Sequence, residues 1–170
     1  MPEYDFQTLS SIDFQILSRD LLQKKLNVVL ESFGAGKDRG VDFRLRDNSG
    51  HIVVQCKHYK DYAPLLQTLK KYEISKVQNL RPNRYILSIS TSLTPDRKDE
   101  LLRMFSLFCQ SSSDILGRED LNNLLGLYPE VERKNIKLWL TSTGSSTELY
   151  GTTPGINVTR IKTTCVPASD

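Results

Sequence analysis

Val41-Asp-Phe-Arg-Leu-Arg-Asp-Asn-Ser-Gly-His-Ile-Val-Val-Gln-Cys-Lys57 reads as two alternating strands joined by a tight turn. Side chains alternate between the two faces of a strand. Val41, Phe43 and Leu45 therefore share one face, and Asp42, Arg44 and Arg46 the other. In the second run Ile52, Val54 and Cys56 oppose Val53, Gln55 and Lys57. Asp47-Asn-Ser-Gly50 between them is turn chemistry. A turn symmetric about Asn48-Ser49 sets Asp47 against Gly50 and Arg46 against His51. Continued along the ladder, the count brings Asp42 opposite Gln55. Opposed residues project from the same face, and Lys57 shares that face. An acid, an amide and an amine converge, and a register slip of one residue would scatter them.

Elements outward from the hairpin follow from spacing. A helix is predicted from Ser11 to about Lys25, capped by Ser10 or Ser11, with Phe14, Leu17, Leu21 and Leu22 on one side. Asn27 to Phe33 reads as a strand, and Gly34-Ala-Gly-Lys-Asp-Arg-Gly40 as a glycine-rich connection. After the hairpin, a helix over Pro64 to Leu80 turns Leu66, Leu69 and Val77 inward, and Arg84 to Ser90 is a buried strand. Thr94 caps a further helix with Pro95 in its first turn and an apolar stripe of Leu101, Leu102, Phe105 and Phe108. A short helix spans Arg118 to Leu125, and Asn135 to Thr141 reads as a last strand. The order predicts an α/β sandwich around a mixed sheet. Residues 1–143 form one domain, and 144–170 are a polar, poorly packed tail.

Composition sets limits. The chain has 170 residues, 38% hydrophobic and 25% charged, with a formal charge of +3, ordinary values for one globular domain. Cys56, Cys109 and Cys165 are widely spaced and odd in number, so no disulfide framework is implied. The N-terminus lacks the regions of a signal peptide, and no apolar run could cross a membrane. A cytoplasmic protein is expected. Between Lys57 and Arg84, Lys60, Lys70, Lys71, Lys76 and Arg81 face only Asp61 and Glu73. That balance suits a polyanion or, equally, a solvated helix face.

The converging group suits phosphodiester hydrolysis. A carboxylate at Asp42 can hold Mg2+, which polarises a phosphate and activates water. Lys57 can orient that water or stabilise charge on the phosphate. The Gln55 amide oxygen and the backbone carbonyl of Cys56 are further candidate ligands. Taken alone, an Asp–Lys pair on a hairpin is common and worth little; the glycine run beside it lets backbone approach a ligand closely.

Gly36-Lys-Asp-Arg-Gly-Val-Asp42 followed by Val53-Val-Gln-Cys-Lys57 resembles the G-x-D and Q-x-K motifs of Mrr-like restriction endonucleases. These are PD-(D/E)xK nucleases in which glutamine replaces the usual second acid. Leu9-Ser-Ser-Ile-Asp-Phe-Gln-Ile-Leu-Ser-Arg-Asp-Leu-Leu22 resembles the family's first helix. Ile115-Leu-Gly-Arg-Glu-Asp-Leu-Asn122 with Lys137-Leu-Trp-Leu140 is similar to the nuclease domain that precedes an NTPase in bacterial STAND-type anti-phage proteins. The resemblance implies a restriction-endonuclease-like three-layer sandwich, a central mixed β-sheet flanked by helices. It implies an endonuclease for double-stranded DNA, dependent on Mg2+ or Mn2+, acting in restriction or anti-phage defence. Asp42 maps to the metal-binding acid, and Gln55 and Lys57 to the Q-x-K pair. Lys37, Arg39, His58, Lys60, Lys70 and Lys71 are the candidates for contact with DNA.

Two departures stand out. The family often has glutamate after the phenylalanine of its first helix; here it is Gln15. The second acid falls to Asp20 or Glu31, with Asp38 also near. The tail after Tyr150 does not continue into an NTPase, so an NTPase or sensor partner would lie outside this chain. A homodimer would be the simplest way to cut both strands. A catalytically degenerate DNA-binding or adaptor module is the alternative reading. Other signals fall away. Gly34-Ala-Gly-Lys37 lacks the first glycine and the final Ser or Thr of a phosphate-binding loop. Cys56 and His58 have no second pair for zinc.

Overall fold

The computed structural model describes residues 3–34, 41–48 and 50–138. α1 (Ser11–Leu26) starts where the Ser10 side chain accepts the Asp13 N–H at 3.1 Å, satisfying a donor that the first turn leaves open. Its Phe14, Leu17, Leu21 and Leu22 are buried, as their spacing predicts. Among the described residues a sheet of five strands follows in the order β1-β2-β3-β4-β5: Glu31–Ser32, Phe43–Asp47, Gly50–Lys57, Arg84–Ile89 and Ile115–Leu116. The first three pair antiparallel, and β3-β4 and β4-β5 pair parallel. The sheet is therefore mixed.

Alternation along the two long strands splits the core into two layers. Val54, Cys56 and Ile86 pack with α1 and with Leu121 and Val131 of two later helices, α5 (Arg118–Leu127) and α6 (Pro129–Lys134). Val53, Tyr85, Leu87 and Ile89 pack on the other face. There they meet Leu65 of α2 (Tyr62–Thr68), Val77 of α3 (Ile74–Leu80) and Leu101 of α4 (Pro95–Met104). Helices cover both faces of a mixed sheet, the three-layer α/β arrangement that the resemblance implies. The helix predicted over Pro64 to Leu80 is continuous but irregular: Leu69–Glu73, between α2 and α3, winds as a π-helix.

The hairpin has the counted register, from Asp47↔Gly50 to Phe43↔Val54. Gly50 takes φ +143°, and Asn83 Oδ1 accepts the His51 N–H at 2.8 Å, bracing the turn. The count breaks one residue further along. The Asp42 N–H donates to the carbonyl of Val54, the residue already opposite Phe43. Two residues thus face one, the arrangement of a β-bulge. Val41 accordingly packs in the opposite layer from Phe43. Asp42 does not stand directly opposite Gln55; the bulge re-aims its side chain.

Two predicted strands are corrected. Over Asn27 to Phe33 only Glu31–Ser32 pairs with β2. Asn27 takes a left-handed conformation that closes α1, and the Leu30 N–H is spent on Gln23 Oε1. Over Asn135 to Thr141, the described part Ile136–Leu138 is a 3-10 turn. Asn135 Nδ2 donates back to the Val131 carbonyl at 2.9 Å, so this chain continues the end of α6 rather than a strand. Trp139 onward, with the predicted tail at 144–170, lies outside the described residues.

One ion pair ties the far end of the sheet. Arg84 Nε and an NH2 group donate to Asp114 Oδ1 at 3.0 and 2.7 Å, and Asp114 Oδ2 accepts the Gln110 N–H. Asp114 is fully buried. Removing one partner of a buried pair strands the other, so Asp114→Ala should lower stability by about 3 kcal/mol. A urea unfolding midpoint close to that of the wild type would refute this.

Candidate active site

The bulge decides where the Asp42 carboxylate goes. β3 runs beyond the end of β2, which leaves the Cys56 N–H without a ladder partner. Asp42 Oδ2 accepts that N–H at 2.6 Å and the Gln55 Nε2 at 2.9 Å. Its Oδ1 accepts Gln15 Nε2 from α1 at 3.3 Å. A buried backbone donor is thus satisfied by a side chain rather than by a strand. Alternate carbonyls of a strand point to the same side. That of Val54 faces Asp42, so that of Cys56 points to the same gap. Gln55 is buried, and its Oε1 has no hydrogen-bond partner among the described residues.

Lys57 lies two residues along the same face of β3. Its Nζ donates to Glu73 Oε1 at 2.8 Å. Lys76 Nζ reaches the same oxygen at 3.1 Å. Glu73 ends the π-helical turn and is 2% exposed. Sequence reasoning counted it only as one acid within a basic stretch. The signal was its place at four-residue spacing between Leu69 and Val77, both inward. On the other side of Lys57, the His58 ring stacks on Phe14, with centroids 5.3 Å apart. A cavity of about 270 Å³ opens there, lined in part by Gln15, Cys56, Lys57 and His58. Burial and the Asp42 charge push the Cys56 thiol well up from its usual range, so it stays protonated and is unsuited to bind zinc as a thiolate.

Residues 6–88 match the family described as restriction endonuclease, of the Mrr catalytic type. They form a restriction-endonuclease domain. The match holds the bulge, the hairpin, the π-helical turn and all but the last residue of β4. Uncharacterized protein y4cD of Sinorhizobium fredii (strain NBRC 101917 / NGR234) is 39% identical over 143 residues. The similarity covers 83% of this chain and 22% of the relative, so the chain spans about a fifth of the relative's length. No solved structure matches the chain.

Within this nuclease domain the two candidates for a second acid each have ion-pair partners of their own. Asp20 accepts from Arg19 at 3.0 Å and lies 3.7 Å from Lys134, on the side of α1 turned to α6. Glu31 sits on β1 and is bonded to Arg44 of β2. Gln15, by contrast, touches Asp42 directly. Asp38 lies outside the described residues, as do Lys37 and Arg39. Among the described residues no three acids, cysteines or histidines cluster as a metal cage. The oxygen set of Asp42, Gln55 Oε1 and the Cys56 carbonyl still fits a hard divalent cation. The buried Gln55 oxygen without a partner is what such an ion would use. Of the other candidates for DNA contact, Lys60, Lys70 and Lys71 are exposed. Lys70 pairs with Glu100 at 3.1 Å, and Lys71 lies 5.0 Å over the Tyr72 ring. No helix among the described residues is long and apolar enough to cross a membrane.

Proposed function

We propose that this chain is a metal-dependent endonuclease that hydrolyses phosphodiester bonds in double-stranded DNA. Its setting is the cytoplasm, in restriction or phage defence. The observation that carries this reading is the Asp42 carboxylate bonded to Gln55, with Lys57 next on the same strand face. Asp42, the Gln55 amide oxygen and the Cys56 carbonyl would hold Mg2+ or Mn2+. When bound, the ion supplies a Lewis acid for the phosphate and lowers the pKa of a bound water.

The chain's own groups do the rest. Lys57 presents an ammonium to a phosphate oxygen and stabilises charge that grows on it. His58, Lys60, Lys70 and Lys71, with Lys37 and Arg39 of the glycine-rich connection, supply cationic contacts to the DNA backbone. Contacts of that kind position a duplex without reading its sequence. Cutting both strands is served most simply by a homodimer. Control by an NTPase or sensor partner outside this chain would follow from the likeness of Ile115–Asn122 and Lys137–Leu140 to nuclease domains that precede an NTPase.

The test is cleavage of supercoiled plasmid and linear duplex with Mg2+, Mn2+ or EDTA over a range of protein concentrations. Nicked and linear products should form with either metal and vanish in EDTA. A steep concentration dependence supports the dimer. Salt-sensitive DNA binding without cutting in any metal would favour an adaptor module on the same fold, a reading that the neutral Gln15 amide against Asp42 supports.

A further inference from the structure

The nuclease reading leaves the Glu73 carboxylate without a task, yet Glu73 is among the most buried charged groups of the described chain. One of its oxygens is shared by two ammonium groups, Lys57 at 2.8 Å and Lys76 at 3.1 Å. The two lysines differ in setting. Lys57 comes from β3 beside Asp42 and Gln55, and its side chain is 13% exposed. Lys76 lies three residues along the helix from Glu73 and is 43% exposed. A pair that served only to neutralise a buried acid needs one cation. The second cation has a use when the first must leave, because a buried carboxylate abandoned by its partner is strongly destabilising.

We infer that Glu73 is a positioning residue for Lys57, and that Lys76 neutralises the same carboxylate when Lys57 turns to a phosphate oxygen of the substrate. This rests on the nuclease reading above. Glu73 restrains an otherwise flexible side chain, so the ammonium meets the substrate already oriented. Lys76 keeps the acid paired through the exchange, so the movement of Lys57 leaves no stranded charge. The π-helical turn belongs to the same device, since Glu73 is its last residue. Such turns are common at functional sites. No atom changes bonding partners covalently in this step; one ammonium passes from a carboxylate to a phosphate.

The experiment uses the full chain with Glu73→Gln and Glu73→Asp. Duplex binding is read by fluorescence anisotropy, single-turnover cutting at saturating protein with Mn2+, and folding by thermal melting. Glu73→Gln should bind the duplex as tightly as wild type or tighter, because it removes a negative charge. Its cutting rate should fall about a hundredfold, the scale of a misplaced reacting group. Glu73→Asp restores the charge and should recover part of that loss. A purely structural acid would not separate rate from affinity in this way, nor be rescued by charge. Glu73→Gln cutting at the wild-type rate overturns the inference. So does a matched fall in binding, rate and melting temperature.

A second readout needs no activity. Acylation of Lys57 by an N-hydroxysuccinimide ester, followed by peptide mass spectrometry, should be slow in wild type. It should rise several-fold in Glu73→Gln, with exposed Lys24 as the unchanged internal standard. Equal labelling overturns the hold on Lys57 whether or not the protein cuts. Wild-type protein that cuts nothing in any metal defeats the nuclease reading instead, and the labelling still decides the hold.

Discussion

Asp42→Ala should give a protein that takes up neither Mg2+ nor Mn2+ at this site and cuts no duplex. The expected fall in cutting is on the order of a thousandfold or more, since the change removes the only carboxylate among the proposed ligands as well as the alignment of Gln55. The substitution also has a structural cost. The Cys56 N–H and the Gln55 amide both donate to Asp42 Oδ2, and both would lose their acceptor. Buried donors left unmade cost about 1–3 kcal/mol each. Asp42→Asn separates the two effects: it keeps an acceptor for the Cys56 N–H and removes the charge. Calorimetric titration with Mn2+, paired with plasmid cleavage, reads both variants. If Asp42→Asn binds the metal and cuts like wild type, the proposed ligand set is wrong.

Lys57→Ala should stop cutting while leaving DNA binding close to wild type. Loss of one aligned cationic donor at a phosphoryl centre costs roughly a hundred- to a thousandfold in rate. The other lysines of the segment keep the duplex attached, because backbone contacts are spread over many groups. Stability should change little, since Lys76 stays on the Glu73 carboxylate at 3.1 Å. Lys57→Arg should not restore cutting. A planar guanidinium with a fixed fork of donors does not match the single point that Lys57 presents to Glu73. Duplex affinity by anisotropy and the cutting rate on the same preparation check this. A Lys57→Ala protein that cuts at the wild-type rate would remove Lys57 from the site.

The hairpin was legible because its rules are local. A two-residue turn and alternating side chains settle the register without reference to anything distant. The bulge at Asp42 was not, since it depends on where β2 stops and on an orphaned N–H of the neighbouring strand. The convergence of Asp42 with Gln55 was nonetheless read correctly, through a pairing the structure does not use. α1 and α4 were legible for the same local reasons: Ser10 and Thr94 cap them as predicted. β5 was missed because two residues carry no period, and its place follows only from parallel pairing to Leu87 and Ser88. The run Asn135 to Leu138 alternates like a strand, but the carbonyls of Val131 and Glu132 at the end of α6 accept from Asn135 and win. Gln15 was noted as a departure from the family. Only the structure brings its amide to Asp42, because the meeting joins a helix and a strand 27 positions apart.

The π-helical turn has an angular consequence. Leu65, Leu69, Glu73 and Val77 are all buried, each four positions after the last. In a regular α-helix a residue advances about 100°, so a step of four overshoots a full circle by about 40°. Three such steps would drift by roughly a third of a circle, and Val77 would swing away from the layer that Leu65 occupies. A wider π turn makes the same step fall short of a circle and takes the drift back. The irregular winding therefore works as a phase corrector: it lets a strict four-residue repeat stay on one side of a helix, with an acid as its third member.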